Sequence, residues 1–219
     1  MYRVKEAFYT LQGEGAQAGR AAVFCRFSKC NLWTGREKDR ASAVCTFCDT
    51  DFVGTDGQNG GQFETAEDLA AHIQGLWPDA PGHPYVVCTG GEPLLQLDEP
   101  LIDAFHAAGF EVGVETNGTL PAPKGIDWLC VSPKADAGVV ITECDELKLV
   151  YPQALALPER FEHIRALHYF LSPMASPSAP DGESTDPVRQ SNTAKATAYC
   201  LAHPRWRLTL QMHKIIGID

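Results

Sequence analysis

The stretch "YVVCTGGEPLLQLDEPLIDAFHAAGFEVGVETNG", residues 85–118, decides how this chain folds. It opens on a β-branched run, "YVVCT" (85–89), which breaks at a Gly-Gly pair. A helical pattern follows, "EPLIDAFHAAG", and it stops at Gly109, a residue suited to a helix C-cap. A second β-rich run, "FEVGVET" (110–116), ends at Asn-Gly. Strand, helix and strand in this order predict a parallel pair joined by a right-handed crossover.

The same alternation extends in both directions. "AAVFCRF" (21–27), "DWLCVS" (127–132), "ELKLVY" (146–151), "HYFLS" (168–172) and "WRLTLQ" (206–211) read as further strands. "TAEDLAAHIQGLW" (65–77) reads as a helix with Thr65 as N-cap and Leu69, Ile73 and Leu76 on one face. "NTAKATAYCLAHP" (192–204) reads as another, stopping before Pro204. About six or seven strands are too few for a closed eightfold barrel. The expected fold class is therefore α/β, a partial (incomplete) TIM-type β/α barrel. A chain of 219 residues needs only one core, so residues 1–219 are expected to form a single domain. Two segments interrupt the rhythm, a long Gly- and charge-rich connection at 31–64 and a Pro/Ser-dense, flexible exposed loop at 173–191.

Composition narrows the function. The formal charge of −10 argues against gripping nucleic-acid phosphates or an anionic membrane surface, and favours a small-molecule ligand. The apolar runs are too short to cross a bilayer, and the N-terminus lacks a signal core, so a cytoplasmic location is expected. There the eight cysteines should stay reduced, available for metal ligation, catalysis or packing.

The unusual polar motifs all follow strands: a cysteine loop after 21–27, "TGGEP" after 85–89, "ETNG" after 110–116 and "SPKAD" after 127–132. In a parallel α/β fold these ends converge on one face, where sites are built. The cysteine loop, "SKCNLWTGREKDRASAVCTFCDTDF" (28–52), carries Cys30, Cys45 and Cys48 as Cys-x14-Cys-x2-Cys. A four-thiolate zinc site would need Cys25 as well. In "VFCRF", however, Cys25 shares a strand face with Val23 and Phe27 while Arg26 takes the other, so Cys25 and Arg26 point apart. Three thiolates on a cubane iron–sulfur cluster leave one iron open, which suits a cofactor able to chelate it. Gly-Gly in "TGGEP", Lys134 and Asn-Gly have bland readings too: a strand-to-helix turn, a solvated lysine and a turn.

Taken together, "FYTLQGEG", "VFCRF", "CNLW", "CTFCDTDFVGT", "CTGGEP", "ETNG", "SPKAD", "ELKLV" and "LQMHK" span nearly the whole chain. In this combination the sequence resembles the radical S-adenosylmethionine enzymes and, within them, the 7-carboxy-7-deazaguanine synthase family of the queuosine pathway. It departs from the superfamily's usual Cys-x3-Cys-x2-Cys, as one branch of that family does, and carries Ser172 where the family often has Gln before Pro-Met.

The resemblance implies a [4Fe–4S] cluster on Cys30, Cys45 and Cys48. S-adenosylmethionine would meet Phe47, Cys48, Asp49, Gly90, Gly91, Ser132, Pro133, Lys134, Asp136 and Ser172. Mg²⁺ would lie at Thr50, with Asp49 and Asp51 as alternatives. It implies that 6-carboxy-5,6,7,8-tetrahydropterin is held by Leu11, Gln12, Gly13, Glu14, Arg26, Thr89, His213 and the carboxylate of Asp219. The implied reaction is a radical ring contraction to 7-carboxy-7-deazaguanine with loss of ammonia. A homodimer and an electron donor such as flavodoxin or ferredoxin are further expectations. The rival readings are a different small radical enzyme, such as a glycyl-radical activase, and a non-catalytic zinc-binding module.

Overall fold

The computed structural model describes residues 1–176 and 186–218. Alternation along strand β2 (Ala21–Phe27) sets the geometry of the whole sheet. Val23, Cys25 and Phe27 are fully buried in a core on one face, while Phe24 and Arg26 line a cavity on the other. Among the described residues nine strands form one sheet in the order β3-β1-β2-β4-β5-β6-β7-β8-β9. The strands are β1 (Tyr2–Leu11), β2, β3 (Gly61–Phe63), β4 (Tyr85–Gly90), β5 (Glu111–Thr116), β6 (Trp128–Val131), β7 (Glu143–Tyr151), β8 (Arg165–Pro173) and β9 (Arg207–Leu208). From β2 through β9 every neighbouring pair is parallel, and β1 pairs antiparallel with both β2 and β3. The sheet does not close on itself, so the architecture is a partial barrel.

Helices cover the apolar face. Helix α1 (Ala66–Gln74) begins with a capping box in which Thr65 Oγ1 accepts from Asp68 N at 3.1 Å and Asp68 Oδ2 accepts from Thr65 N at 3.3 Å. Its Leu69 and Ile73 join Leu101, Ile102 and Phe105 of α2 (Glu99–Ala107) over Val86, Cys88, Val112 and Val114. A second core holds Leu147, Leu149 and Leu171 with Ala196 of α3 (Pro187–Ala202). No described helix is long and apolar enough to cross a membrane.

Several expectations need correction. Strand β1 is not apparent from alternation because its register shifts between Val4 and Glu6, so Val4 and Ala7 both reach the core from an odd spacing. The expected strand at 206–211 shortens to Arg207–Leu208, since beyond Thr209 the chain turns back with Met212 N donating to Leu210 O. The five-residue helix α4 (Met212–Ile216) that follows has no strong sequence signature. The 31–64 connection contains a 3₁₀ turn at Glu37–Ser42, then runs along β1 and pairs with it as β3. The 173–191 loop is shorter than expected, because β8 continues to Pro173 and Asp186 caps α3 five residues early, accepting from Val188 N at 2.9 Å. The remainder of that loop, 177–185, lies outside the described residues, as does Asp219. The three expected helices are all present, while β5–β6 and β6–β7 are joined without one.

Phe105 is fully buried at the centre of the first core. Phe105→Ala should lower unfolding stability by about 3–5 kcal/mol in urea titrations. The thiol content accessible to reagents in the native state should stay unchanged.

Candidate active site

The polar face of the sheet lines a cavity of about 740 Å³. Its walls gather residues from the ends of β1, β2, β4, β5, β6, β7 and β8 and from α4, as the convergence of parallel strand ends requires. Cys30, Cys45, Phe47, Cys48, Asp49 and Thr50 form one side. Leu11, Gln12, Gly13, Glu14, Arg26, Thr89, His213 and Lys148 form another, with Gly90, Gly91, Ser132, Lys134 and Ser172 between them. Pro133 is buried beside this wall and Asp136 is exposed outside it.

The cysteine loop is braced from within its own long gap. Arg40 Nη1 donates to the carbonyls of Thr46 at 3.0 Å and Cys48 at 2.9 Å, while its guanidinium stacks 4.2 Å from the Trp33 ring. Trp33 in turn meets Phe52 edge-on at 5.6 Å. Leu32 N donates to Cys30 Sγ at 3.4 Å, where burial pushes the thiol up, and a hydrogen bond from Cys45 lowers the Cys48 thiol while raising that of Cys45. The other cysteines do not reach the cavity. Cys25 stands opposite Cys88 in register, on the helix side of the sheet, where burial pushes both thiols up. The four-thiolate zinc option therefore has no fourth thiol. No three His, Cys, Asp or Glu side chains among the described residues gather into a single-ion site. A cubane distributes its cysteines over different irons and suits a wider set of thiols. The three-thiol wall fits such a cluster.

Backbone contacts tie the cysteine loop to its neighbours. Gly91 N donates to Phe27 O at 3.2 Å and Glu92 N to Lys29 O at 2.9 Å. A side chain at Gly91 would collide with the Lys29 carbonyl, so the close approach itself demands glycine there. Glu92, unassigned by sequence reasoning, is fully buried and accepts from Thr116 Oγ1 at 2.7 Å, Asn117 N at 2.8 Å and Leu94 N at 3.0 Å. Burial nevertheless keeps its carboxyl above the usual range. Asn117 Nδ2 donates to Asn31 Oδ1 at 2.9 Å, closing the ring of loops.

At the opposite end, Arg26 and Thr89 are register partners on adjacent strands. Arg26 gives its Nε to Glu6 at 2.7 Å, an arrangement that leaves the two terminal amino groups for another acceptor. Gln12 Nε2 donates to Glu115 Oε1 at 2.8 Å. Lys148 Nζ, from β7, pairs with Glu14 at 2.9 Å and Glu115 at 3.2 Å. His213 packs directly on Gly13, where any Cβ would strike its ring, and burial pushes its imidazole below the usual range. Lys148 and Glu115 were not among the expected site residues. The signal for Lys148 was available: in "DELKLVY" Glu146 and Lys148, two residues apart, interrupt an apolar run, so both face the same side.

Around Thr50 the two aspartates are already engaged. Asp49 pairs with Lys214 at 2.7 Å and Asp51 with Lys5 at 2.9 Å. Burial pushes Asp49 up, but Lys214 more than offsets it and the carboxyl lies below the usual range.

A partial barrel with three thiols at the strand ends, facing a glycine turn across one cavity, defines a radical S-adenosylmethionine protein. The Radical SAM superfamily model matches residues 41–135, a span that includes Cys45, Cys48, Gly90, Gly91 and Ser132. Two relatives described as 7-carboxy-7-deazaguanine synthase each align over 217 residues, 99% of this chain and 99% of their own length. That from Caulobacter vibrioides is 62% identical and that from Bordetella pertussis 64%. The crystal structure of QueE from Escherichia coli superposes with a TM-score of 0.70 at 26% identity, covering 97% of this chain and 94% of that one. The chain belongs to the 7-carboxy-7-deazaguanine synthase family. A [4Fe–4S] cluster and S-adenosylmethionine follow from that membership.

Replacing Cys30, Cys45 or Cys48 with Ala should each abolish iron–sulfur loading. The same change at Cys25, Cys88, Cys130, Cys144 or Cys200 should leave iron near four per chain. Iron and sulfide assays on anaerobically reconstituted protein check the division, and iron loss in folded Cys25→Ala would contradict it.

Proposed function

We infer that the chain converts 6-carboxy-5,6,7,8-tetrahydropterin to 7-carboxy-7-deazaguanine with release of ammonia. The observation that carries this reading is a single cavity with three cysteines at one side and, at the other, Arg26 and Thr89 beside a set of carboxylate and amide acceptors. When bound, the cluster and S-adenosylmethionine supply reductive cleavage of a sulfonium, and hence a hydrogen-abstracting carbon radical. Cys30, Cys45 and Cys48 would hold the cluster. Phe47, Cys48, Asp49, Gly90, Gly91, Ser132, Lys134 and Ser172, all in the cavity wall, are the proposed cofactor contacts. Pro133, buried behind Ser132, would shape that contact, and Asp136 is the outlying member of the set.

The chain's own contribution is orientation and electrostatics. The open edge of the Arg26 guanidinium matches a carboxylate in a planar two-bond contact. Thr89 beside it, with Leu11 and Gly13 in the wall, bounds the ring. Gln12, Glu14 and His213 offer acceptors to the ring N–H and amino groups, and His213, held neutral by burial, can accept as well as donate.

Mg²⁺ is part of the proposal, held by Thr50 together with the substrate carboxylate. The ion pairs at Asp49 and Asp51 support Thr50 over its neighbours, and Mg²⁺ commonly keeps waters beside few protein ligands. A single domain, a flavodoxin- or ferredoxin-type reductant, a homodimer and a cytoplasmic location belong to the same reading. The exposed apolar side chains Leu210, Ile215 and Ile216 give the dimer a candidate contact surface.

Anaerobic incubation with substrate, S-adenosylmethionine and reductant should yield 7-carboxy-7-deazaguanine and ammonia in equal amounts. Cofactor cleavage without either product would refute the reading. Thr50→Ala should keep its iron and its cofactor affinity, yet require at least tenfold more Mg²⁺ for half-maximal rate. An unchanged magnesium dependence would remove Thr50 from the site.

A further inference from the structure

Lys148 is a cation in an unusual place. Its side chain is 5% exposed, on a strand whose other face packs Leu147 and Leu149 into the second core. Burying an ammonium is costly, and a buried ion pair is seldom retained for stability, since an apolar replacement would serve as well. Lys148 nevertheless opens onto the cavity, with Glu14 from the loop after β1 at 2.9 Å and Glu115 from β5 at 3.2 Å. Both carboxylates also line the cavity, and Glu115 is fixed from a second side by Gln12.

We propose that Lys148 is a positioning residue that keeps Glu14 and Glu115 ionised side by side as acceptors for the amino and ring N–H edge of the substrate. The inference rests on the reaction proposed above and adds to it the group that sets the charge state of the recognition floor. Without the cation, two carboxylates held against one point repel each other, which disfavours both being ionised at once and costs an acceptor. The other titratable groups facing this pair leave Lys148 as its main support. Glu146 on β7 and Cys130 on β6 bond to each other at 3.6 Å, Glu146 also accepts from Ala16 N at 2.9 Å, and any negative charge there adds repulsion. His213 on α4 is held neutral by burial. Tyr85 on β4 is buried and its hydroxyl is pushed up, so it brings no charge. Lys134, bonded to Ser132 Oγ at 2.6 Å, also favours the charged form of Glu115, but less than Lys148 does. Lys148 therefore acts on the substrate through the two glutamates.

The test is equilibrium binding of 6-carboxy-5,6,7,8-tetrahydropterin to cluster-loaded protein, with S-adenosylmethionine but no reductant, between pH 6 and pH 9. Lys148→Gln keeps a donor and deletes the charge. At pH 7 its Kd should rise about tenfold to a hundredfold, and the deficit should shrink as pH rises and the shared proton leaves. Lys148→Arg, which restores the cation, should recover most of the affinity and the flat pH profile of the unaltered protein. A Lys148→Gln profile parallel to the unaltered one, or a loss that Arg does not relieve, would overturn the proposal and leave Lys148 a structural residue. Should Lys148→Gln not fold, Lys148→Gln/Glu115→Gln leaves a single carboxylate with no second one to share a proton; a flat profile between pH 6 and pH 9 supports the proposal, and binding that still weakens toward pH 6 overturns it. Failure of the unaltered protein to bind the pterin would refute the proposed reaction instead, so the two ideas fail separately.

Discussion

The buried carboxylate of Glu92 is the constraint on which the site depends. It is fully enclosed and accepts hydrogen bonds from β5, from the turn after it and from its own turn. Its backbone N–H reaches the start of the cysteine loop at Lys29. One residue thus fastens three strand-end loops that have no regular hydrogen-bond ladder between them. A buried carboxylate is expensive unless its oxygens are satisfied, so these loops stay where all the donors reach it. Loss of any one donor leaves a penalty of roughly 1–3 kcal/mol, which is why the loops hold a common geometry. The glycines beside Glu92 follow from the same requirement, because only a bare backbone comes close enough to Phe27 and Lys29.

The long gap between Cys30 and Cys45 has a physical consequence of its own. A short gap would place the thiols by local turn geometry. Here the intervening residues supply Arg40, whose planar fork holds two carbonyls of the Cys45–Cys48 segment while its face rests on Trp33. Beyond Cys48, Lys5 pairs with both Asp51 and Asp56 and pins the outgoing chain to β1. The extra length therefore carries contacts of its own, which offset its conformational entropy.

How much of this is legible in the sequence depends on whether a feature is local. The βαβ unit at 85–118 follows from residue patterns alone, and so does Thr65 as a cap, because both are decided within a few residues. Strand β1 escapes because a one-residue shift at Val4–Glu6 breaks the alternation that announces strands. Cys25 and Arg26 sort to opposite faces by simple pleating, which separates the buried thiol from the cavity wall before any coordinate is known. Glu92 and Lys148 are harder. Each sits in a quoted motif, but their partners lie 24 and 33 or more residues away, and pairing at that range is a property of topology. The resemblance to a family names residues expected to contact ligands; it is silent on those that hold them in place.

The short helix α4 joins the two sides of the cavity. Met212 N donates to Gly13 O at 3.0 Å and His213 rests on Gly13, which ties the helix to the acceptor-lined loop. One residue on, Lys214 pairs with Asp49 in the cysteine loop. Five residues are too few for a helix to persist alone in water, so α4 takes its form from what it touches. Its register therefore depends on the cysteine loop and the Gln12–Glu14 loop being in place together. A disturbance on either side reaches the other through a single turn of backbone, and the spacing between the thiol wall and the acceptor floor is fixed by the elements that line them.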